Sequence, residues 1–246
     1  MDEELAGTLR YLRLTNLSAR WDEYLDLAQK EGFSPVRLLR HVLADECRAR
    51  RDNAREQRIK RARIPEVFTI GTYPFERQPK LDRNRLFMVY DAFDFVEKKQ
   101  NIVWLGPTGC GKTGLATSFL VEAIRRGHTG RYVQFPELVA ELFRSVADHS
   151  EETVLRHYLS FGCLLIDEIG HVEVEPVQVG LFFTLMHRRH RRAPTLVTSN
   201  LGFDDWRLFL KNDHLTAALV DRLTENSYVF NMKNCRSLRS RLPEEP

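Results

Sequence analysis

An apolar run, Ile102 to Leu105, leads straight into Gly106-Pro107-Thr108-Gly109-Cys110-Gly111-Lys112-Thr113, and a helical stretch from Gly114 to Arg126 follows. No other feature of the 246-residue chain restricts its fold as tightly. The pattern G-x-x-x-x-G-K-[ST] needs a backbone that curls so that successive N–H groups and a helix N-terminus face phosphate oxygens. That geometry arises where a buried strand ends and a helix begins, which separates this segment from a mere glycine turn. Gly106, Pro107, Thr108, Gly109, Cys110, Gly111, Lys112 and Thr113 are therefore expected to cradle ATP. Lys112 would reach the β- and γ-phosphates and the Thr113 hydroxyl would ligate Mg²⁺.

Four more short apolar runs follow, Arg131 to Phe135, Cys163 to Ile166, Thr195 to Thr198 and Tyr228 to Met232, separated by segments long enough for crossover helices. The economical solution is an α/β fold, a mainly parallel five-stranded sheet covered by helices on both faces. The third run ends in Asp167-Glu168. An acid at the carboxyl end of a parallel strand stands where such sheets bind ligands, so Asp167 is expected to hold Mg²⁺ and Glu168 to polarise an attacking water. The pair favours hydrolysis over nucleotide storage. The fourth run ends in Thr198-Ser199-Asn200, where the Asn200 amide can orient water or sense the γ-phosphate, with a helix cap as the bland alternative.

Ahead of this core the pattern is helical. Leu5, Leu9 and Leu12 recur at helical spacing, a second stripe runs from Leu17 through Trp21, Tyr24, Leu25 and Ala28 to Gly32, and Ser34-Pro35 opens a third helix. That helix enters a basic stretch, Arg48 to Arg63, with eight basic residues against two acidic ones, or +6, in a chain whose formal net charge is +3. Local basicity of this kind suggests a polyanionic partner. The expected organisation is a small all-helical N-terminal domain at 1–63, a linker at 64–80 marked by Pro65, Gly71, Pro74 and Pro79, and the nucleotide-binding domain at 81–246. The end, Pro243 to Pro246, reads as an acidic, proline-containing tail. No apolar run approaches the roughly 18 to 20 residues of a membrane span and the amino end carries no apolar signal, so a cytoplasmic location is expected. The four cysteines are far apart and form no C-x-x-C, so neither a zinc site nor a disulfide framework is suggested.

Taken together, GPTGCGKT, LLIDEIG followed by Leu181-Phe182-Phe183, TSN-L-x-F-x-x-W and Asp221-Arg222-Leu223 resemble, in order and spacing, the IstB helper ATPases of insertion-sequence transposition, relatives of the DnaC helicase loaders within the AAA+ class. The resemblance spans about residues 66 to 232, and the helical amino domain with its basic tail is similar to the IstB arrangement. It implies a P-loop AAA+ core and an ATPase whose nucleotide lies between the subunits of an ATP-dependent oligomer. On the matching positions, Asp167 and Glu168 would be the metal-binding and catalytic acids and Asn200 the first sensor. Arg222 would be the arginine finger supplied in trans, an element worth about 10³ to 10⁵ in rate. The family's terminal Ser-Tyr-Arg matches Ser237-Leu238-Arg239 only after a one-residue shift, so Arg239 is not counted in the site.

The resemblance implies duplex DNA and a transposase as partners, the ATPase assembling on target DNA and presenting it. Arg48, Arg51, Arg55 and Arg58 of the basic helix are the first candidates for phosphate contact. Arg144 and Arg156, in the Pro136 to Ser160 insertion that looks like a DNA-contacting element of AAA+ initiators, are the second. The His187 to Arg192 run is basic too, but cations at a helix C-terminus have a structural explanation. A DnaC-like loader on single-stranded DNA is the alternative. A small-molecule kinase fits less well, given the adjacent acids and the Asn200 and Arg222 positions. No base-recognition element is present, so backbone reading is expected.

Overall fold

The computed structural model describes residues 1–170 and 172–239, and the acidic tail from Pro243 lies outside them. The five apolar runs form β1 (Ile102–Leu105), β2 (Gly130–Gln134), β3 (Cys163–Ile169), β4 (Thr195–Ser199) and β5 (Tyr228–Asn231). They pair in the order β2-β3-β4-β1-β5, every pair parallel. All four residues of β1 are buried, because helices cover both faces of a sheet made from crossovers. Ile102 and Trp104 face one core with Phe95 and Phe119, while Val103 and Leu105 face the other with Phe135, Phe182 and Trp206.

The chain divides into two compact units between Gln57 and Arg58. The first holds α1 (Glu3–Tyr11), α2 (Thr15–Ala19), α3 (Trp21–Glu31) and most of α4 (Pro35–Arg61). The stripe expected as one helix from Leu17 is thus two helices, interrupted at Arg20. Its start is drawn away by long-range bonds: Asn16 Nδ2 donates to the Tyr24 hydroxyl at 3.0 Å and Leu17 N donates to the buried Glu46 at 2.9 Å. Gly32, at φ +62°, ends α3 in the left-handed conformation that glycine tolerates. Within α4, Arg50 pairs with Glu46 at 3.1 Å and donates to the carbonyls of Leu12 and Arg13, so one basic residue of the stretch closes off the end of α1.

The second unit begins at Arg58, six residues ahead of the expected boundary, and the segment expected as a linker is packed into it. Ala62 O accepts from Tyr132 N at 2.8 Å and Arg61 O accepts from Arg131 Nη1 at 3.3 Å, so the chain here covers the outer edge of β2. Ile70 is buried in the first core, with Tyr73 and Phe75 packed against it. The remaining helices are α5 (Arg83–Ala92), α6 (Lys112–Arg125), α7 (Phe135–Ala147), α8 (Glu151–Leu159), α9 (Pro176–Arg189), α10 (Trp206–Leu210) and α11 (Asp213–Thr224). Among the described residues no helix is long and apolar enough to cross a membrane.

Arg189, the last residue of α9, is 1% exposed. Its guanidinium donates to the carbonyls of Tyr158, Phe161 and Pro194 and to Thr195 Oγ1, joining the ends of α8 and α9 to the start of β4. Burial lowers its pKa to about 10, which leaves it charged at neutral pH. Arg189→Ala should therefore destabilise the second unit by more than about 3 kcal/mol in denaturant titration, because three buried carbonyls lose their donors and a cavity opens.

Candidate functional site

At the carboxyl edge of the sheet, β1 ends beside β4, with Leu105 in register with Ser199. The glycine loop leaves from there and enters α6. Gly109 and Gly111 have φ of +83° and +89°, and a Cβ on Gly111 would lie 2.5 Å from the Tyr73 ring, so both backbone conformation and space require glycine. The Tyr73 hydroxyl donates to Cys110 O at 2.7 Å and ties the loop to the segment ahead of α5. Lys112 Nζ donates to the carbonyls of Gly106 and Pro107 at 2.7 and 2.8 Å, and desolvation lowers its pKa. Burial raises the Cys110 thiol, which keeps it protonated and inert.

The two acids of β3 sit on an irregularity. Ile166 is in register with Val197, yet Ile169 pairs with Ser199, so three steps on β3 face two on β4. This bulge contains Asp167 and Glu168, and Glu168 has φ +62°, a conformation that costs a non-glycine residue about 1 kcal/mol or more. Asp167 is 1% exposed, and three hydroxyls serve its carboxylate. Thr113 Oγ1 donates to Oδ1 at 3.0 Å, Thr198 Oγ1 donates to the same oxygen, and the Tyr132 hydroxyl donates to Oδ2 at 2.9 Å. Thr198 also accepts from Glu168 N at 2.9 Å, so one hydroxyl of β4 holds both acids. Burial and the neighbouring carboxylate push the Tyr132 phenol well above its ordinary range, so it remains a donor.

A cavity of about 440 Å³ lies over this edge. Thr108, Gly109, Gly111, Lys112, Thr113, Asp167, Glu168 and Asn200 all line it, so one site gathers the loop, the acids and the amide that stand far apart in sequence. Asn200 Oδ1 is buried beside Gly170 and has no hydrogen-bond partner among the described residues. Phe68, Glu66, Tyr132, Thr198 and Arg239 line it as well, none of them assigned from sequence. Phe68 is held there by contact with Gly114, a candidate surface for a planar base. Arg239 arrives because the chain after β5 crosses the loop: Leu238 N donates to Gly109 O at 2.8 Å, and Gln78 clamps Arg236 by bonds to its N–H and carbonyl at 3.0 and 2.6 Å. The Ser-Leu-Arg spacing was the one signal for it.

Arg222 does not line this cavity. It lies half-buried near the end of α11, its Nε donating to His187 Nδ1 at 3.1 Å. The candidate DNA residues are dispersed. Arg48, Arg51 and Arg55 are exposed on α4, Arg48 and Arg55 pairing with Asp45 and Asp52, and Arg58 is half-buried in the second unit. Arg144 is exposed on α7, and Arg156 on α8 pairs with Glu152 at 3.6 Å.

The model of the IstB-like ATP binding protein family matches residues 7–244. An ATP-binding protein of insertion sequence IS5376 from Geobacillus stearothermophilus is 32% identical over all of this chain and 98% of its own length. One of insertion sequence IS21 from Pseudomonas aeruginosa is 33% identical, covering 94% of this chain and 86% of the relative. Among solved structures, DnaI is similar with a TM-score of 0.53 and 24% identity over 61% of this chain and 85% of that one. The DnaC helicase loader gives 0.52 and 18% over 61% and 90%, which shows the shared AAA+ fold.

Because Thr198 bonds to both acids, Thr198→Val should destabilise the protein by about 1–3 kcal/mol, the cost of leaving a buried carboxylate and an N–H underserved. Thermal unfolding measures it. Tyr132→Phe removes one bond to the same carboxylate and should cost less.

Proposed function

We propose, since this chain belongs to the IstB-like ATP-binding protein family of AAA+ ATPases, that it is the ATP-dependent helper of DNA transposition, assembling on duplex target DNA and presenting it to a transposase. The observation that carries hydrolysis is the bulge at Asp167 and Glu168, which line the same cavity as the phosphate loop. The donor set fits a hydrated Mg²⁺, a hard cation that takes oxygen ligands: the Thr113 hydroxyl and the Asp167 carboxylate stand 3.0 Å apart. Bound Mg²⁺ would neutralise phosphate charge and brace the leaving group.

The residues divide the remaining work. Glycine-loop N–H groups and Lys112 bind phosphate, Asp167 holds the metal through its fixed orientation, Glu168 accepts a proton from water, and Asn200 orients that water. Arg222 acts on the nucleotide of a neighbouring subunit, because it lies outside its own cavity. Binding at such a junction favours the assembled state by binding it better, which couples ATP to assembly. Arg48, Arg51, Arg55, Arg58, Arg144 and Arg156 contact the DNA backbone without reading sequence. Work on DNA sets the place of action in the cytoplasm.

Glu168→Gln should bind ATP normally, lower turnover by at least about a hundredfold and prolong the DNA-bound assembly, as followed by phosphate release and gel shift. Turnover at the normal rate removes Glu168 from catalysis. Duplex binding in Mg²⁺ and ATP should exceed that with ADP and weaken steeply with salt. Preference for single strands would favour helicase loading instead.

A further inference from the structure

The Arg222 guanidinium is held from several sides. Nε donates to His187 Nδ1 at 3.1 Å, so that nitrogen is the acceptor and the ring carries its proton on Nε2. Nη1 donates to Ala218 O at 2.7 Å, one turn back on α11. The guanidinium carbon lies 5.0 Å from the centroid of Phe183, whose ring stacks with His187 at an interplanar angle of 5°. The backbone is fixed as well: Arg222 O accepts from Asn101 Nδ2 and from His190 Nδ1, each at 3.2 Å. The buried Asn101 also receives Thr195 N at 2.9 Å, which joins the end of α11 to the start of β4.

Among the described residues Arg222 has no carboxylate partner. Its partners are a neutral imidazole, a ring face and a carbonyl, which hold the guanidinium without neutralising it. No hydrogen bond from Nη2 is made among the described residues, which leaves that edge of the fork able to donate to an anion. The basic run His187 to Arg192 is divided among several duties, and Arg188 pairs with Glu152 at 2.7 Å. Arg189 is buried as a strut, His190 and Arg191 pair with Glu225 just past α11, and His187 reaches the guanidinium itself.

We propose that His187 is a positioning residue for Arg222: with Phe183 beneath it, it sets the guanidinium beforehand in the orientation that enters the nucleotide site of a second copy of this chain. The role presupposes that Arg222 acts in trans, as proposed above. Orienting a long, rotamer-rich side chain before assembly reduces the freedom lost on docking and keeps the fork aimed.

Mixed assemblies test this without disturbing the site that turns over. Arg222→Ala protein serves as recipient, and Lys112→Ala protein, with a dead site of its own, donates Arg222. Lys112→Ala donors should restore ATP hydrolysis. Donors carrying Lys112→Ala with His187→Ala should restore at least about tenfold less, the loss falling on kcat with the recipient's KM for ATP unchanged. Donors with Lys112→Ala and His187→Asn should recover most of it, since the Asn Oδ1 stands where Nδ1 does and accepts the same bond. Equal rescue by the His187→Ala donors overturns the assignment while leaving the trans reading intact. Absence of rescue by every donor, the Lys112→Ala protein included, overturns the trans reading and the His187 role with it. His187 is exposed, so its donors should fold, and unchanged thermal unfolding together with the Asn recovery separates positioning from loosened structure.

Discussion

A carboxylate removed from water must be given hydrogen bonds or lose its charge, and Asp167 meets that demand with hydroxyls from three elements. Thr113 begins α6, Thr198 lies in β4 and Tyr132 in β2. The bond network therefore joins the phosphate loop to three adjacent strands at the edge where ligands bind in such sheets. These three donors are neutral hydroxyls, so none of them forms a salt bridge with the carboxylate. The strained backbone of Glu168 is sustained by the same network, because Thr198 holds its N–H.

Around that edge the molecule uses segments outside the sheet to finish the site. The stretch after Arg58 covers the β2 edge and then supplies Phe68 and Tyr73, while the chain after β5 returns over the loop to bring Arg239. Gln78 fastens the two together through both bonds to Arg236. Arg222 is built on a different principle. Its support comes from α9 and from Asn101 at the opposite, amino-terminal ends of β1 and β4, a placement suited to work on a neighbouring molecule.

Much of this was legible in local patterns. Fully buried strands read as unbroken apolar runs, and each of the five appeared within a residue of its position except β3, which extends through the acids to Ile169. In the sequence the apolar run stops at Ile166, where two charges follow, whereas pairing with β4 resumes beyond the bulge. The boundary near residue 63 and the linker at 64–80 were drawn from proline, glycine and charge. Those signals report local conformation, and they cannot show that Ala62 and Ile70 are buried against a sheet formed later in the chain.

Spacing alone determined the phosphate loop, the acids at the end of the third apolar run, the amide after β4 and the sheet class, because each depends on neighbours along the chain or on strict periodicity. Tertiary structure alone decided that Tyr132 and Thr198 serve Asp167, that Phe68 and Arg239 enter the cavity, and that His187 faces Arg222. A tyrosine in an apolar run or a histidine in a basic one has no distinctive local pattern. Each acquires its chemical role from a partner dozens of residues away, and only the packing of strands and helices brings that partner within hydrogen-bonding distance.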